Sequence, residues 1–198
     1  MIKVGITGGI GSGKTTVCKI FETFSVPVYY ADDRAKKLMT GHKELKNSII
    51  QLLGKQAYFN NGKLNRKYIA ELVFNDRSYL ERLNKLVHPA VAKDGEEWFK
   101  HQAKIGYPYA LKEAALLIES GSFKMLDKLI VVTAPIDIRI ERVMQRDKVS
   151  QEKVEARIRQ QMKEEERIRY ADFVIDNTNK SMLDSQVLHI HNQLMQMY

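Results

Sequence analysis

Residues 8 to 15 combine glycines, a lysine and a threonine at a spacing suited to binding a chain of phosphates. They read Gly-Gly-Ile-Gly-Ser-Gly-Lys-Thr, a complete match to the phosphate-loop pattern G-x-x-x-x-G-K-[ST]. Glycine allows the tight turns that direct backbone N–H groups inward, toward phosphate oxygens. We expect Lys14 to reach the β- and γ-phosphates and the Thr15 hydroxyl to ligate Mg²⁺. The alternative is a glycine-rich turn that binds nothing.

The segments on both sides of this loop favour the phosphate site. Residues 2 to 6 form a short apolar run that predicts a strand before the loop. After it, apolar side chains recur at helical spacing, at Val17, Ile20, Phe21 and Phe24. The positive N-terminal end of that helix would therefore face the phosphates.

Two adjacent aspartates, Asp32 and Asp33, follow the next apolar segment, residues 27 to 30. Ligands of an open parallel sheet bind at the edge where its strands end. Either carboxylate could there accept or orient the proton of an acceptor hydroxyl during phosphoryl transfer. The alternative role for one of them is to cap the helix that begins near Arg34. We expect Asp32 to be the base and Asp33 to be a helix-start or surface carboxylate.

Three arginines, Arg139, Arg142 and Arg146, share one narrow stripe of a predicted helix that follows the apolar segment 129–134. Arginine at this place could stack on adenine or bind phosphoryl oxygens. A solvated helix face is the alternative. Charges of both signs are dense in the residues that follow, which is typical of an exposed, mobile lid.

Two further residues are candidates near the substrates. Glu119 closes the run Leu116-Leu117-Ile118, where an acidic residue could lie near the metal or its waters, although a surface glutamate is an equal alternative. His88 precedes Pro89, and a residue before proline favours an extended backbone. His88 is therefore predicted to project toward a substrate, with a structural role as its alternative.

The elements that must position these residues alternate between apolar runs and helical patterns, which predicts an α/β fold with a mainly parallel sheet. Ser181 and Asp184 suggest a capping box for the last helix. The candidate strands are residues 3–7, 27–30, part of 111–118, 129–134 and 173–176. We divide the chain into a core (1–31, 107–146 and 169–198), a helical insert for the second substrate (32–106) and a lid (147–168).

Length and charge narrow the class of protein. A chain of 198 residues fits one domain with an insert. Its net charge of +8 is concentrated in residues 34–67, which suits an anionic ligand. Nucleic acid is not the expected ligand, because no nucleic-acid-binding motif occurs.

The sequence lacks a long apolar run and a signal peptide, so we expect a cytoplasmic protein without membrane association. The lone Cys18 is expected to be a core or boundary residue.

Taken together, these motifs resemble the dephospho-coenzyme A kinase family along almost the whole chain. Within the P-loop kinases, a nucleoside monophosphate kinase or small-metabolite kinase is the alternative, and the segments around Arg66 and His88 argue against both. The resemblance rests on residues 7–16, Tyr30-Ala31-Asp32, residues 62–66 with Val73-Phe74, His88-Pro89, residues 116–119, Arg142, Arg146-Asp147, Gln161, Ala171-Asp172 and Asn177.

The resemblance implies a P-loop NTPase fold of three α/β/α layers around a mainly parallel five-stranded sheet. It implies transfer of the ATP γ-phosphoryl group to the ribose 3′-hydroxyl of dephospho-coenzyme A, with Mg²⁺. Catalysis would rest on Asp32, Lys14 and Arg142. ATP would contact Gly11, Ser12, Gly13, Lys14, Thr15, Thr16, Arg142, Arg146 and Asn177, and the acceptor would contact Asp32, Arg66, His88 and Glu119.

The sequence also departs from the family pattern at three positions. Tyr30 replaces the first aspartate of Asp-Ala-Asp, Ala115 replaces a usual proline and Arg139 replaces a common glutamine. The first departure restricts the base to Asp32 or Asp33. The third leaves open how the adenine is held.

Overall fold

The computed structural model describes all 198 residues and contains one five-stranded sheet with helices around it. In the sheet the strands lie in the order β2-β3-β1-β4-β5. β1 pairs in parallel with both β3 and β4, and β4 pairs in parallel with β5. The predicted α/β class and parallel sheet are therefore confirmed. The strands are β1 (Ile2–Thr7), β2 (Val28–Tyr30), β3 (Tyr109–Glu113), β4 (Lys128–Thr133) and β5 (Phe173–Asp176).

The central strands are apolar because helices cover both faces of a parallel sheet. Val4 and Ile6 of β1 and residues 130–132 of β4 have no solvent exposure. The first helix, α1 (Lys14–Thr23), buries Val17, Cys18 and Phe21. Burial also raises the pKa of the Cys18 thiol well above its ordinary value. Cys18 is thus a core residue, as the sequence predicted.

The chain forms two compact units, residues 1–29 with 99–198 and residues 30–98. We call them the sheet unit and the helical unit. The sheet unit also contains four later helices. They are α6 (Ile136–Asp147), α7 (Gln151–Arg159), α8 (Glu164–Ile168) and α9 (Leu183–Gln196).

The helical unit has a hydrophobic core of its own. This core contains Leu45, Ile49, Leu53 and Val87, among others. The Tyr58 hydroxyl donates to the carbonyl of Met39 at 2.7 Å, which adds a polar tie inside the unit. Its helices are α2 (Ala31–Gly41), α3 (Lys43–Leu53), α4 (Arg66–Asn75) and α5 (Ser78–Ile105), of which residues 78–98 belong to this unit.

The third predicted strand ends earlier than its apolar sequence suggests. β3 stops at Glu113, and residues 115–120 form turns in which the Ser120 N–H donates to the Leu116 carbonyl. Leu117 and Ile118 are nevertheless buried, in a cluster with Leu129. An apolar run can therefore reflect a buried turn as well as a strand.

Two local predictions and one alternative were wrong. His88 is not extended, because α5 continues as a helix through Pro89 while its Leu83 and Val87 face is buried. Ser181 does not start the final helix, since α9 begins at Leu183 after a 3₁₀ turn that the Asn179 side chain caps. Neither aspartate caps α2, whose N-cap is Tyr30; Asp32 and Asp33 both lie in the first helical turn.

Candidate active site

The phosphate loop connects β1 to α1 and has the backbone shape that its glycines allow. Gly11 and Gly13 have φ values of 79° and 95°, and Gly13 is the N-cap of α1. Residues other than glycine rarely adopt this left-handed backbone conformation. Inside the loop, the Ser12 N–H donates to the Gly9 carbonyl at 3.1 Å. The residues after Gly13 therefore place the N–H groups of a helix N-terminus at the loop.

The side chains predicted to act on phosphate follow directly in the first turn of α1. Lys14 Nζ donates to the carbonyl of Gly8 at 3.0 Å, so its ammonium group folds back over the loop. Thr15 and Thr16 are exposed to solvent. A lysine over a phosphate loop and an accessible threonine hydroxyl can bind phosphate oxygens and a hydrated Mg²⁺ respectively.

Asn177 and Arg142 contact the loop from the end of β5 and from α6. The Asn177 amide donates to the Ser12 carbonyl at 2.7 Å, and Arg142 Nη2 donates to the Asn177 carbonyl at 2.9 Å. Asn177 is only 2% exposed. Three buried polar atoms of this group have no hydrogen-bond partner: Ser12 Oγ, Arg142 Nη1 and Asn177 Oδ1. Unpaired buried polar atoms beside a phosphate loop indicate a place for further polar partners.

The three arginines of the α6 stripe lie in different environments. Arg139 is buried, Arg142 is half-buried and Arg146 is exposed. Arg146 pairs with Asp147, its Nε and Oδ1 atoms 2.7 Å apart, and Arg157 of α7 pairs with the same carboxylate at 2.9 Å. The two arginines hold the pKa of Asp147 below its usual range. Three arginines on one helix stripe therefore lie in three different environments.

Arg139 binds the phosphate loop itself. Its Nε donates to the carbonyl of Ile10 at 3.0 Å, and its Nη1 forms an ion pair with Glu164 at 3.3 Å. The sequence placed Arg139 toward the nucleotide, and the structure places it against the loop backbone. The periodicity of α6 could not show this, because the contact spans more than a hundred residues of sequence.

Two carboxylates lie in the sheet unit near the ends of its strands. Glu119 accepts from Arg167 Nη2 at 3.2 Å, and this arginine is fully buried and also donates to the Met162 carbonyl. Glu119 is exposed, as its surface alternative predicts, and it also forms an ion pair with a buried arginine. Glu113 ends β3 opposite Ile6 of β1 and is 7% exposed. Sequence reasoning missed Glu113, although a carboxylate at the end of an apolar run was a usable signal.

The helical unit holds the remaining predicted residues. Asp32 is exposed in the first turn of α2, beside Asp33, whose carboxylate bonds to Lys36 at 2.7 Å. This bond lowers the pKa of Asp33. Arg66 is the exposed first residue of α4, and His88 is exposed on α5. The unit therefore presents to solvent three of the side chains that are predicted to contact the acceptor, those of Asp32, Arg66 and His88.

A phosphate loop after the central strand of a parallel sheet, followed by a helix whose N-terminus meets the loop, defines a P-loop kinase fold. Solved structures share it. A Thermus thermophilus protein is 33% identical, with 97% of this chain and 96% of that chain covered and a TM-score of 0.82. A dephospho-CoA kinase from Campylobacter jejuni is 28% identical, with 98% of each chain covered and a TM-score of 0.75. A shikimate kinase from Acinetobacter baumannii, at 13% identity and a TM-score of 0.51, shares the fold alone.

The family follows from the sequence comparisons. Residues 2–182 match the family model for dephospho-CoA kinase. The dephospho-CoA kinase of Bacteroides fragilis is 36% identical over 189 residues, which cover 96% of this chain and 91% of that protein. The one from Salinibacter ruber is 42% identical over 177 residues, or 89% of each. The chain belongs to the dephospho-CoA kinase family, and the predicted resemblance is confirmed.

Proposed function

We propose that this enzyme transfers the γ-phosphoryl group of ATP to the ribose 3′-hydroxyl of dephospho-CoA, which is the last step of coenzyme A biosynthesis. The observation that carries the proposal is a correctly formed phosphate loop in a chain of the dephospho-CoA kinase family. Family membership also supports a cytoplasmic location. No helix of the structure has the length and apolar character needed to cross a bilayer.

The phosphate loop is the proposed ATP site. Backbone N–H groups at Gly11, Ser12 and Gly13 would bind the phosphate oxygens, together with the first turn of α1 at Lys14, Thr15 and Thr16. Lys14 would exchange its bond to the Gly8 carbonyl for the β- and γ-phosphates. Proteins commonly bind Mg²⁺ through one or two side chains, waters and substrate phosphates. The accessible Thr15 hydroxyl fits this donor set, and the bound ion would neutralise developing phosphate charge.

Arg142 is the proposed second cation on the transferring group. One of its terminal nitrogens, Nη2, is held by the Asn177 carbonyl, while Nη1 is buried without a partner next to Gly13. A buried unpaired donor is unfavourable, so an incoming anionic oxygen would gain a strong charge-assisted hydrogen bond. We propose that Arg146 and Asn177 complete the nucleotide side, near the adenine.

The acceptor side is proposed to lie in the helical unit. Its exposed Arg66 and His88 would bind the anionic acceptor, and the basic residues of segment 34–67 would attract it. Asp32 would orient and accept the proton of the 3′-hydroxyl, the role that phosphoryl transfer to an alcohol requires. Glu119, which Arg167 holds in place, is the further proposed acceptor contact.

A coupled assay of ADP release tests this function. We expect turnover with dephospho-CoA and little or none with adenosine, AMP or shikimate, and mass spectrometry should show a product heavier by one phosphoryl group. Lys14→Ala should lower turnover by roughly 10² or more, since one electrostatic contact to the transition state is lost. Equal turnover with shikimate, or near-normal activity of a folded Lys14→Ala variant, would contradict the proposal.

A further inference from the structure

The backbone of the phosphate loop is held from outside at Ile10. Its N–H donates to Gln161 Oε1 at 2.9 Å, and its carbonyl accepts from Arg139 Nε at 3.0 Å. The Ile10 side chain packs on an apolar cluster of α6 and α7 that includes Ile140 and Val154. Both polar groups of one loop residue and its side chain are thereby fixed by residues distant in the sequence.

The Arg139 guanidinium is buried against the phosphate loop. It is 5% exposed, and its Nη2 lies where a side chain on Gly9 would begin, 2.2 Å from an ideal Cβ position. Its Nη1 pairs with Glu164. All three nitrogens therefore face the loop backbone or a carboxylate of the same unit, which is the geometry of a fixed support.

The other two members of this contact belong to the segment predicted as the lid. Gln161 lies between α7 and α8, and Glu164 is the first residue of α8. Arg167, one turn further along, is fully buried and bound to Glu119 and the Met162 carbonyl. The start of α8 is thus tied to the phosphate loop through Arg139 and, through Arg167, to the turn that carries Glu119.

We propose that Arg139, Gln161 and Glu164, which we call the Ile10 clamp, are positioning residues that hold the phosphate loop in its nucleotide-binding shape and couple it to the α7–α8 segment. The proposal rests on the function proposed above. Each of the three contacts the loop or another member of the clamp, and through the loop each contributes to nucleotide affinity. Because coupling between two sites is reciprocal, nucleotide bound at the loop should in turn order residues 160–164.

Nucleotide binding can be measured without the acceptor, so calorimetry with ADP tests the clamp directly. Arg139→Met should weaken ADP binding about tenfold and raise the KM for ATP similarly, while the KM for dephospho-CoA changes less than twofold. Glu164→Gln should show a smaller change of the same kind. In the double variant the effects should be less than additive, since both substitutions release the same contact.

The matched control is Arg159→Met, which removes an exposed arginine that pairs with Glu155 in α7. It should leave ADP binding unchanged. Hydrogen exchange supplies a readout that a merely structural role would not move: ADP should slow exchange of the amides at 160–164 in the wild type and much less in Arg139→Met. If Arg139→Met does not fold, Gln161→Leu replaces it in the ADP-binding and hydrogen-exchange measurements, with the same expected result. This substitution removes only the acceptor for the Ile10 N–H.

Unchanged ADP affinity in a folded clamp variant, even one with lowered thermal stability, would overturn the proposal. Strictly additive effects of Arg139→Met and Glu164→Gln would overturn the coupling. A wild-type protein that fails to bind ADP would instead contradict the proposed function, so the two failures are distinguishable.

Discussion

Replacing Gly13 with alanine tests whether the Asn177 contact holds the phosphate loop in place. Gly13 has a φ of 95°, and an added Cβ would lie 1.9 Å from Asn177 Nδ2. The buried amide would have to leave, and with it the hydrogen bond to the Ser12 carbonyl. The chain offers a matched control in Gly106, which has a φ of 96° and no atom within 4 Å of an added Cβ.

The expected magnitudes follow from these two environments. At either position an alanine with this φ is strained by about 1–2 kcal/mol. Gly13→Ala additionally breaks a buried hydrogen bond and leaves its acceptor unpaired, which costs about 1–3 kcal/mol. The gain from a less flexible unfolded chain is the same in both variants and cancels. We therefore expect Gly13→Ala to lose about 1–3 kcal/mol more than Gly106→Ala.

Urea unfolding followed by circular dichroism measures both free energies of unfolding. Combining Gly13→Ala with Asn177→Ala gives a double-mutant cycle, in which the hydrogen bond is lost only once and the effects are less than additive. ADP binding should weaken in Gly13→Ala and remain unchanged in Gly106→Ala. Equal losses of stability in the two glycine variants would refute the reasoning.

Three further outcomes are expected. Asp32→Asn keeps the side-chain size but cannot accept a proton, so kcat should fall by roughly 10² to 10⁴ with little change in ATP affinity. Arg66→Ala should raise the KM for dephospho-CoA about tenfold or more and leave the KM for ATP nearly unchanged, as the loss of one charge-assisted hydrogen bond predicts. His191 forms a hydrogen bond with Tyr109, and its partial burial lowers its pKa. The unfolded chain then binds more protons than the folded protein in this pH range, so the free energy of unfolding should fall as the pH drops from about 7 through the lowered pKa. In His191→Gln, the thermal unfolding midpoint should depend less on pH over the same range.

A neighbouring residue supplies the control for each of these variants. Asp33→Asn should retain most activity; an inactive Asp33→Asn beside an active Asp32→Asn would mean that the wrong carboxylate was chosen. Lys67→Ala removes the adjacent exposed cation. If it raises the KM for dephospho-CoA as much as Arg66→Ala does, Arg66 contributes only to the general positive charge of the surface. His189→Gln, on the exposed side of α9, should keep the pH dependence that His191→Gln loses.

The sheet and the phosphate loop were predictable because each leaves a local mark in the sequence. Buried strands of a parallel sheet are continuous apolar runs, so the predicted ends of β1, β4 and β5 agree with the structure to within one residue. The loop is a contiguous motif whose glycines are required by its own backbone. Residues 115–120 show the limit of this signal, because this apolar segment contains buried side chains but forms turns rather than a strand.

The supporting contacts of the site were not predictable in the same way. Helical spacing placed Arg139, Arg142 and Arg146 on one stripe, but it could not show that the first is buried against Gly9 while the last is exposed. The local rule for a residue before proline failed at His88, because the packing of a long helix outweighs one dipeptide preference. Such outcomes depend on tertiary neighbours that no local window contains.

The strand order also has a consequence for how the chain folds during synthesis. β1 is made first, yet Ile2 pairs with Tyr109 and Val4 pairs with Lys128. At about 5–20 residues per second, the ribosome needs roughly 5–25 s to supply these partners. The helical unit, built from contacts close in sequence, can form in that interval. β1, whose Val4 and Ile6 are fully buried in the folded protein, meanwhile has both edges unpaired, so nascent chains should depend on chaperones that shield this N-terminal segment.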